Sequence, residues 1–327
     1  MKGRSLLARL RGKSPASGHV GVGMSDGTIA LAYLPRPDAE RPSVTARTLE
    51  VPAETTLSDA LGKVVGELRL GETPCTLTLA PGDYQTFQIE KPPVEDAELV
   101  AAARWRVREL IDYPLDEAVI DVFEVPMQSQ RGRPPSVMVV SAHKRLLRGK
   151  LDALEAAGLV PERIDIAELA IRNLLARLGE ANESLATLYL GRHRGLIAIT
   201  RGDRLYVARG VDYGYEDVRR ELAPASDGGL ALAGRADEFY DRIALEVQRT
   251  MDYFESYFGL GSAQRLVVAP GLPEFDELAE RAGATLGVRA HGLPLDALVD
   301  LDAPAESLPD ILLALGGGLS LPAGGEA

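Results

Sequence analysis

The residues that could do chemistry in this chain are few and scattered. Its four histidines, His19, His143, His193 and His291, show none of the close spacings by which ligands from one helix or turn share a metal. No GxSxG, HExxH or GxxxxGK[ST] pattern occurs. Gly21-Val22-Gly23 opens no helix, so it is not a dinucleotide fingerprint. The single thiol, Cys75, has no partner for a disulfide. Its setting, TPCTLTLA, is that of a small apolar core residue.

Charge narrows the partners. Lysine plus arginine number 36 and aspartate plus glutamate 48, a formal net charge of −12. Nucleic-acid binding needs a concentrated positive surface, so nucleic acid is excluded as the main partner. The first thirteen residues, MKGRSLLARLRGK, carry five basic residues and no acid. With Leu6, Leu7 and Leu10 at helical spacing, residues 1–17 read as a basic leader. It either makes peripheral membrane contact or stays a solvated terminus. No run of about 18 apolar residues is present, so no membrane-spanning helix is expected. Arg9 interrupts the short apolar stretch that a signal peptide would need, and a cytoplasmic location is expected.

The 327 residues, 46% of them hydrophobic, suffice for two domains with ordinary cores. Residues 19–34 alternate around Asp26-Gly27 and predict a hairpin. A strand near 44–51 follows, then a helix through Leu57, Leu61, Val65 and Leu68, capped by Ser58 and closed by Gly71. After a strand at 75–80, Leu99, Val100, Ala103, Val107, Leu110 and Ile111 predict a helix running to Pro114. Strands at 118–125 and 136–142 and a helix from Lys144 to Ala157 complete an α+β subdomain over 83–158. Strands at 185–190, 195–200 and 204–211 repeat the layout of the opening hairpin, which points to a duplicated fold. A surface loop is expected over 223–235. Phe239, Ile243, Val247, Met251, Phe254 and Phe258 then mark a long helix with one buried stripe. A last helix, Pro309–Leu315, is expected to stop at Gly316-Gly317-Gly318.

Three phrases carry a resemblance. They are ELVAAARWRVRELIDYPLDEAVIDVFEV (98–125), VMVVSAHKRLLRGKLDALEAAGLVPERIDI (137–166) and EVQRTMDYFESYF (246–258). With the order of elements over about 18–320, the chain resembles the actin-like pilus-assembly (PilM-type) family. Within it, the chain is most similar to the mannose-sensitive haemagglutinin (MshI-type) branch. The resemblance implies an α/β, actin-like, ribonuclease H-like duplicated fold of two lobes. The first lobe would be 18–184, with the inserted α+β subdomain at about 83–160. The second would be 185–320, with a flexible tail at 321–327. Nucleotide would sit between the lobes. The cytoplasmic N-terminal tail of a membrane-anchored pilus protein would lie beside the insertion, with the pilus motor or platform as a further partner.

An actin-like ATP site needs two phosphate-binding hairpin turns and carboxylates that hold Mg²⁺. Here Ser25, Asp26, Gly27 and Thr28 form the first turn, and Gly191, Arg192, His193 and Arg194 the second. The family's strand aspartates correspond to Gly23 and Tyr189, and its adenosine turn to Ala269-Pro270-Gly271-Leu272. Proline removes an N–H donor and fixes φ, which alters that turn in kind. Without the acids, metal-assisted hydrolysis loses its charge neutralisation. Arg192 and Arg194 either form a static anion site or decorate an exposed hairpin tip. No cofactor is expected to be required, while ATP binding stays open. For the partner tail, the candidates surround the end of the helix at Trp105, Glu109, Asp112, Tyr113, Asp116 and Glu117. The acids would receive basic residues. The alternative is a solvated acidic turn, with Trp105 in the core. The expected function is a pseudo-ATPase scaffold of a pilus assembly platform at the inner membrane. The alternative is an active ATP-hydrolysing protein of pilus or type II secretion machinery.

Overall fold

The computed structural model describes residues 18–25, 27–126, 134–178, 183–222, 229–304 and 307–319, the side chains of 222 and 229–235 excepted. The leader 1–17, Asp26 and the tail 321–327 lie outside the described residues. In chain order the first half comprises β1 (His19–Ser25), β2 (Thr28–Leu34), β3 (Ser43–Glu50), α1 (Leu57–Glu67), β4 (Pro74–Leu79), β5 (Tyr84–Glu90), α2 (Asp96–Arg106), β6 (Ala118–Glu124), β7 (Ser136–His143), α3 (Lys144–Ala156), β8 (Val160–Ile166) and α4 (Ala167–Leu175). The second comprises β9 (Ser184–Leu190), β10 (Gly195–Arg201), β11 (Arg204–Val211), α5 (Tyr215–Leu222), α6 (Gly229–Phe258), β12 (Arg265–Ala269), α7 (Asp276–Leu286), β13 (Arg289–Gly292), α8 (Leu295–Leu298), β14 (Asp300–Asp302) and α9 (Leu308–Gly318).

Two sheets repeat one plan. The first runs β14-β3-β2-β1-β4-β8 and the second β11-β10-β9-β12-β13. In each, the first hairpin strand also pairs in parallel with a later strand, β1 with β4 and β9 with β12. The alternation read from the sequence sets the faces. Val20, Val22 and Met24 point to the core shared with α1 and α3. Gly21 lies under α9. Among the described residues no helix is long and apolar enough to cross a membrane.

A third sheet, β5-β7-β6, is inserted after β4. Leu99, Ala103 and Val107 of the α2 region cover one of its faces, against Ala118, Ile120, Val137 and Val139. This insertion is shorter than the expected 83–160. Helix α3 packs its Leu147 and Leu154 into the first lobe's core with Leu61, and β8 pairs with β4 in the first sheet. Helix α2 also ends early, at Arg106, which leaves Leu110 beyond it and 50% exposed, and Val100, within the helix, is 39% exposed, so neither belongs to a buried stripe. Arg104 turns the following segment back by donating to the carbonyls of Leu115 and Ala118. Trp105 is 66% exposed, against its reading as core.

Other expectations also change. Helix α1 is capped by Thr56, whose Oγ1 accepts the Asp59 N–H at 3.1 Å, not by Ser58. Thr56→Ala removes that acceptor and lowers stability by about 1 kcal/mol in denaturant unfolding. The expected loop 223–235 becomes helix from Gly229, because Leu230-Ala231-Leu232-Ala233 is strong helix-forming sequence. The stripe of α6 is buried as the periodicity requires, from Phe239 to Phe258. Helix α9 does not stop at Leu315. It continues through Gly318 because its glycines meet backbone and strand side chains. A Cβ on Gly316 would lie 2.2 Å from Ala170 O, and one on Gly317 2.1 Å from Thr78 Oγ1. With β14 paired to β3, α9 belongs to the first lobe, so the second lobe is shorter than 185–320.

Candidate functional site

A cleft of about 490 Å³ opens between the lobes. The first lobe contributes the end of the β1–β2 hairpin (Ser25, Gly27, Thr28), Gly82, Asp83, Lys150 and Asp310. The second contributes Tyr189 and the β9–β10 turn, Gly191 to Arg194. Gly23 and Tyr189 line it at the ends of β1 and β9, and neither brings a carboxylate. Asp26 lies outside the described residues. Pro270 and Gly271 do not line this cavity. The backbone there is folded onto Leu293, where a Cβ on Gly271 would stand 2.2 Å from the Leu293 carbonyl oxygen.

Among the described residues two acids line the cleft, Asp83 and Asp310, and the motif reading singled out neither. Each is held by a cation. Lys150 Nζ lies 2.5 Å from Asp83 Oδ2 and donates to Met24 O at 2.8 Å. Arg192 Nη2 lies 3.0 Å from Asp310 Oδ2, joining the second-lobe turn to α9 of the first lobe. Arg192 is therefore not the free anion-binding group of the sequence reading. The rest of its turn is also committed. Tyr215 N–H donates to Gly191 O at 2.8 Å and Glu216 N–H to Arg192 O at 3.2 Å, so the turn's carbonyls cap α5. Gly214 allows this approach, since a Cβ there would meet Gly191 O at 2.2 Å.

A second cavity, about 470 Å³, lies between β5 of the inserted sheet and the end of β11. Asp112 and Tyr113 line it, with Tyr84, Gln85, Glu168 and Asp212. Asp112 accepts from Gln85 Nε2 at 2.6 Å. Tyr113 shares a hydrogen bond with Ser141 at 2.9 Å and packs edge-on to His143, whose Nε2 lies 2.8 Å from Glu117 Oε2. Glu117 thus braces the wall from behind, and the Asp116 carbonyl accepts from Lys144 Nζ at 2.8 Å. Trp105 and Glu109 are exposed and do not line this groove. Glu168, which sequence reasoning missed, is 7% exposed at the start of α4 and accepts a hydrogen bond from Tyr84 Oη. Burial pushes its carboxyl pKa up, and the Tyr84 hydrogen bond opposes the shift. An acid placed so early in an apolar helix was the available signal. Pro81, Gly82, Asp83 and Arg194 line both cavities, so one thin wall separates cleft from groove.

No family model and no curated protein matches the sequence. Solved structures do match. The PilM–PilN type IV pilus biogenesis complex aligns over 93% of this chain and 98% of that one, at 22% identity and a TM-score of 0.69. The cytoplasmic domain of EpsL, an inner membrane component of the type II secretion system of Vibrio cholerae, aligns over 78% and 83% at 16% identity and 0.47. A Bacteroides thetaiotaomicron protein with an actin-like ATPase fold aligns over 87% and 96% at 10% identity and 0.48. The duplicated sheets, the cleft between them and the match over nearly the full length give this chain the actin-like two-lobed fold.

Proposed function

We propose that this chain is a cytoplasmic, inner-membrane-associated scaffold of a type IV pilus assembly platform of the mannose-sensitive haemagglutinin kind, and a pseudo-ATPase. It takes the cytoplasmic tail of a membrane-anchored partner into the groove between the inserted sheet and the second lobe. The observation that carries this reading is the groove itself. Its two walls are edge strands, β5 and β11, which present unpaired backbone groups to an extended chain. Asp112, Glu168 and Asp212 place acid along it, suited to a basic tail. The full-length likeness to a pilus complex with a bound partner supports the same reading. The non-hydrolytic half rests on the cleft, where the two acids among the described lining residues, Asp83 and Asp310, are paired with Lys150 and Arg192.

The test is capture of the partner's N-terminal tail by the full chain carrying Asp112→Lys and Asp212→Lys. Both positions are exposed, so the fold tolerates the change. Affinity falls at least about tenfold, about 1.4 kcal/mol, through charge repulsion along the groove. Undiminished capture sinks the assignment. Phosphate release from ATP with Mg²⁺ stays at background. Turnover that Gly191→Ala abolishes overturns the pseudo-ATPase reading.

A further inference from the structure

Glu168 is the one buried charge among the described residues that line the groove, 7% exposed at the start of α4. Tyr84 Oη donates to its carboxylate, and its own backbone N–H is the other donor. No lysine, arginine or histidine among the described residues lies within ion-pair distance of it. Asp165, just before it in the chain and as deeply buried, is treated differently. It accepts the Ile166 N–H at 2.9 Å and has the positive charges of Arg172 and Arg163 near it. The other walls supply Glu168 with no such charge. His143 is bonded to Glu117, and Arg194 sits on the wall shared with the cleft, beside Asp83, which Lys150 pairs. Asp112 and Asp212, both exposed, add further acid, and Tyr113 is bonded to Ser141.

A buried carboxylate without a counter-charge is costly, and taking up a proton removes that cost. Burial raises the pKa of the Glu168 carboxyl, the Tyr84 hydrogen bond opposes the shift, and the Asp165 charge adds to it. Gln85 shows the same want of donors. Its amide nitrogen donates to Asp112, which leaves Oε1 a buried acceptor with no partner among the described residues. A guanidinium or ammonium group supplies what both lack, positive charge and several N–H donors. We infer that Glu168 selects a cationic side chain in the groove by exchanging its proton for that cation, so that the occupant's binding is tied to pH. The released proton passes to solvent buffer, and the carboxylate pairs with the incoming charge. The inference rests on the groove reading of the proposed function, and proton release and groove occupancy are measured apart to keep the two distinguishable.

The experiment is calorimetry on the full chain with an acetylated, amidated peptide of alternating arginine and valine. A second peptide carries citrulline, a neutral isostere, at every arginine. Titrations in buffers of different ionisation enthalpy give the protons released on binding. The arginine peptide is expected to bind more tightly as pH rises from about 5 to about 8, above the ordinary carboxylate range. At the lower end the raised carboxyl holds a proton that the cation must displace. At the upper end less of that proton remains, and the affinity gains accordingly. Glu168→Gln keeps an acceptor for Tyr84 and so retains the fold, checked by a cooperative melt. It binds the arginine peptide about tenfold more weakly at the upper end and releases fewer protons at the lower. Subtracting the variant from the parent removes any proton contributed by His143. The citrulline peptide binds parent and variant alike. A Glu168→Gln variant that matches the parent in affinity and proton release overturns the exchange. So does a citrulline peptide that binds the parent as the arginine peptide does, or no binding at millimolar arginine peptide. Binding that ignores Asp112→Lys with Asp212→Lys sinks the groove reading and the exchange with it. Binding that needs those two acids but is indifferent to Glu168→Gln leaves the groove standing and ends the exchange alone.

Discussion

Gly21→Ala yields a chain that folds poorly or not at all, while Gly62→Ala makes the protein slightly more stable. The first methyl has nowhere to go. A Cβ on Gly21 would sit 1.7 Å from Ala314 O and 2.7 Å from Gly318 N, both backbone atoms of α9. Neither can swing aside as a long side chain would, so α9 must lift from β1. That helix carries Ile311, Leu312 and Leu315 fully into the core shared by the lobes. Each buried aliphatic side chain is worth about 1.5–3 kcal/mol, so losing three approaches the whole stability of an ordinary domain, about 5–15 kcal/mol. At Gly62, inside α1, an added Cβ meets nothing within 4 Å. There alanine replaces a poor helix former and gains about 0.5–1 kcal/mol. Soluble yield and denaturant unfolding of the two variants check the contrast. A Gly21→Ala protein unfolding within about 1 kcal/mol of the parent removes the close helix–sheet crossing from the account.

What the sequence reveals follows the range of the interaction. The opening hairpin, the stripe of α6 and the echo of β1–β2 in β9–β10 are local patterns of period two or 3.6, and they appear in the fold where the periodicity puts them. The end of α2 depends on Arg104 reaching carbonyls 11 and 14 residues ahead, which no local period records. The glycines of α9 read as a stop because their partners, Thr78, Ala170 and Gly21, are far away in the chain. The acids of the cleft were hidden for the same reason. Asp83 meets its cation across 67 residues and Asp310 across 118. Motif reasoning looks for an acid at a fixed place on a strand. Here acid arrives from a turn and from a helix of the chain's last segment, already paired.

Asp310→Ala therefore acts at the joint between the lobes. The pair it breaks is mostly buried, with side chains 22% and 16% exposed, and it spans from the β9–β10 turn to α9. The variant removes the carboxylate that pairs with Arg192 in the cleft, and the Arg192 Nε already has no hydrogen-bond partner among the described residues. Removing one member of a buried pair costs about 3–5 kcal/mol, and the residual exposure of this one lowers that to about 2–3 kcal/mol. The loss comes chiefly from the stranded guanidinium. The reversal Arg192→Asp with Asp310→Arg consequently recovers most of it, and the two single changes are strongly non-additive. Salt gives an independent reading. One molar sodium chloride moves the parent's unfolding midpoint little through this pair, whereas the exposed Arg47–Asp302 contact, at 42% and 74%, is screened away. Hydrogen exchange at Gly191–Gly195 rises in Asp310→Ala and returns to the parent rate in the reversed pair. If the single variant unfolds at the parent's midpoint, or the reversal behaves as the sum of its parts, Arg192 and Asp310 do not hold the lobes together.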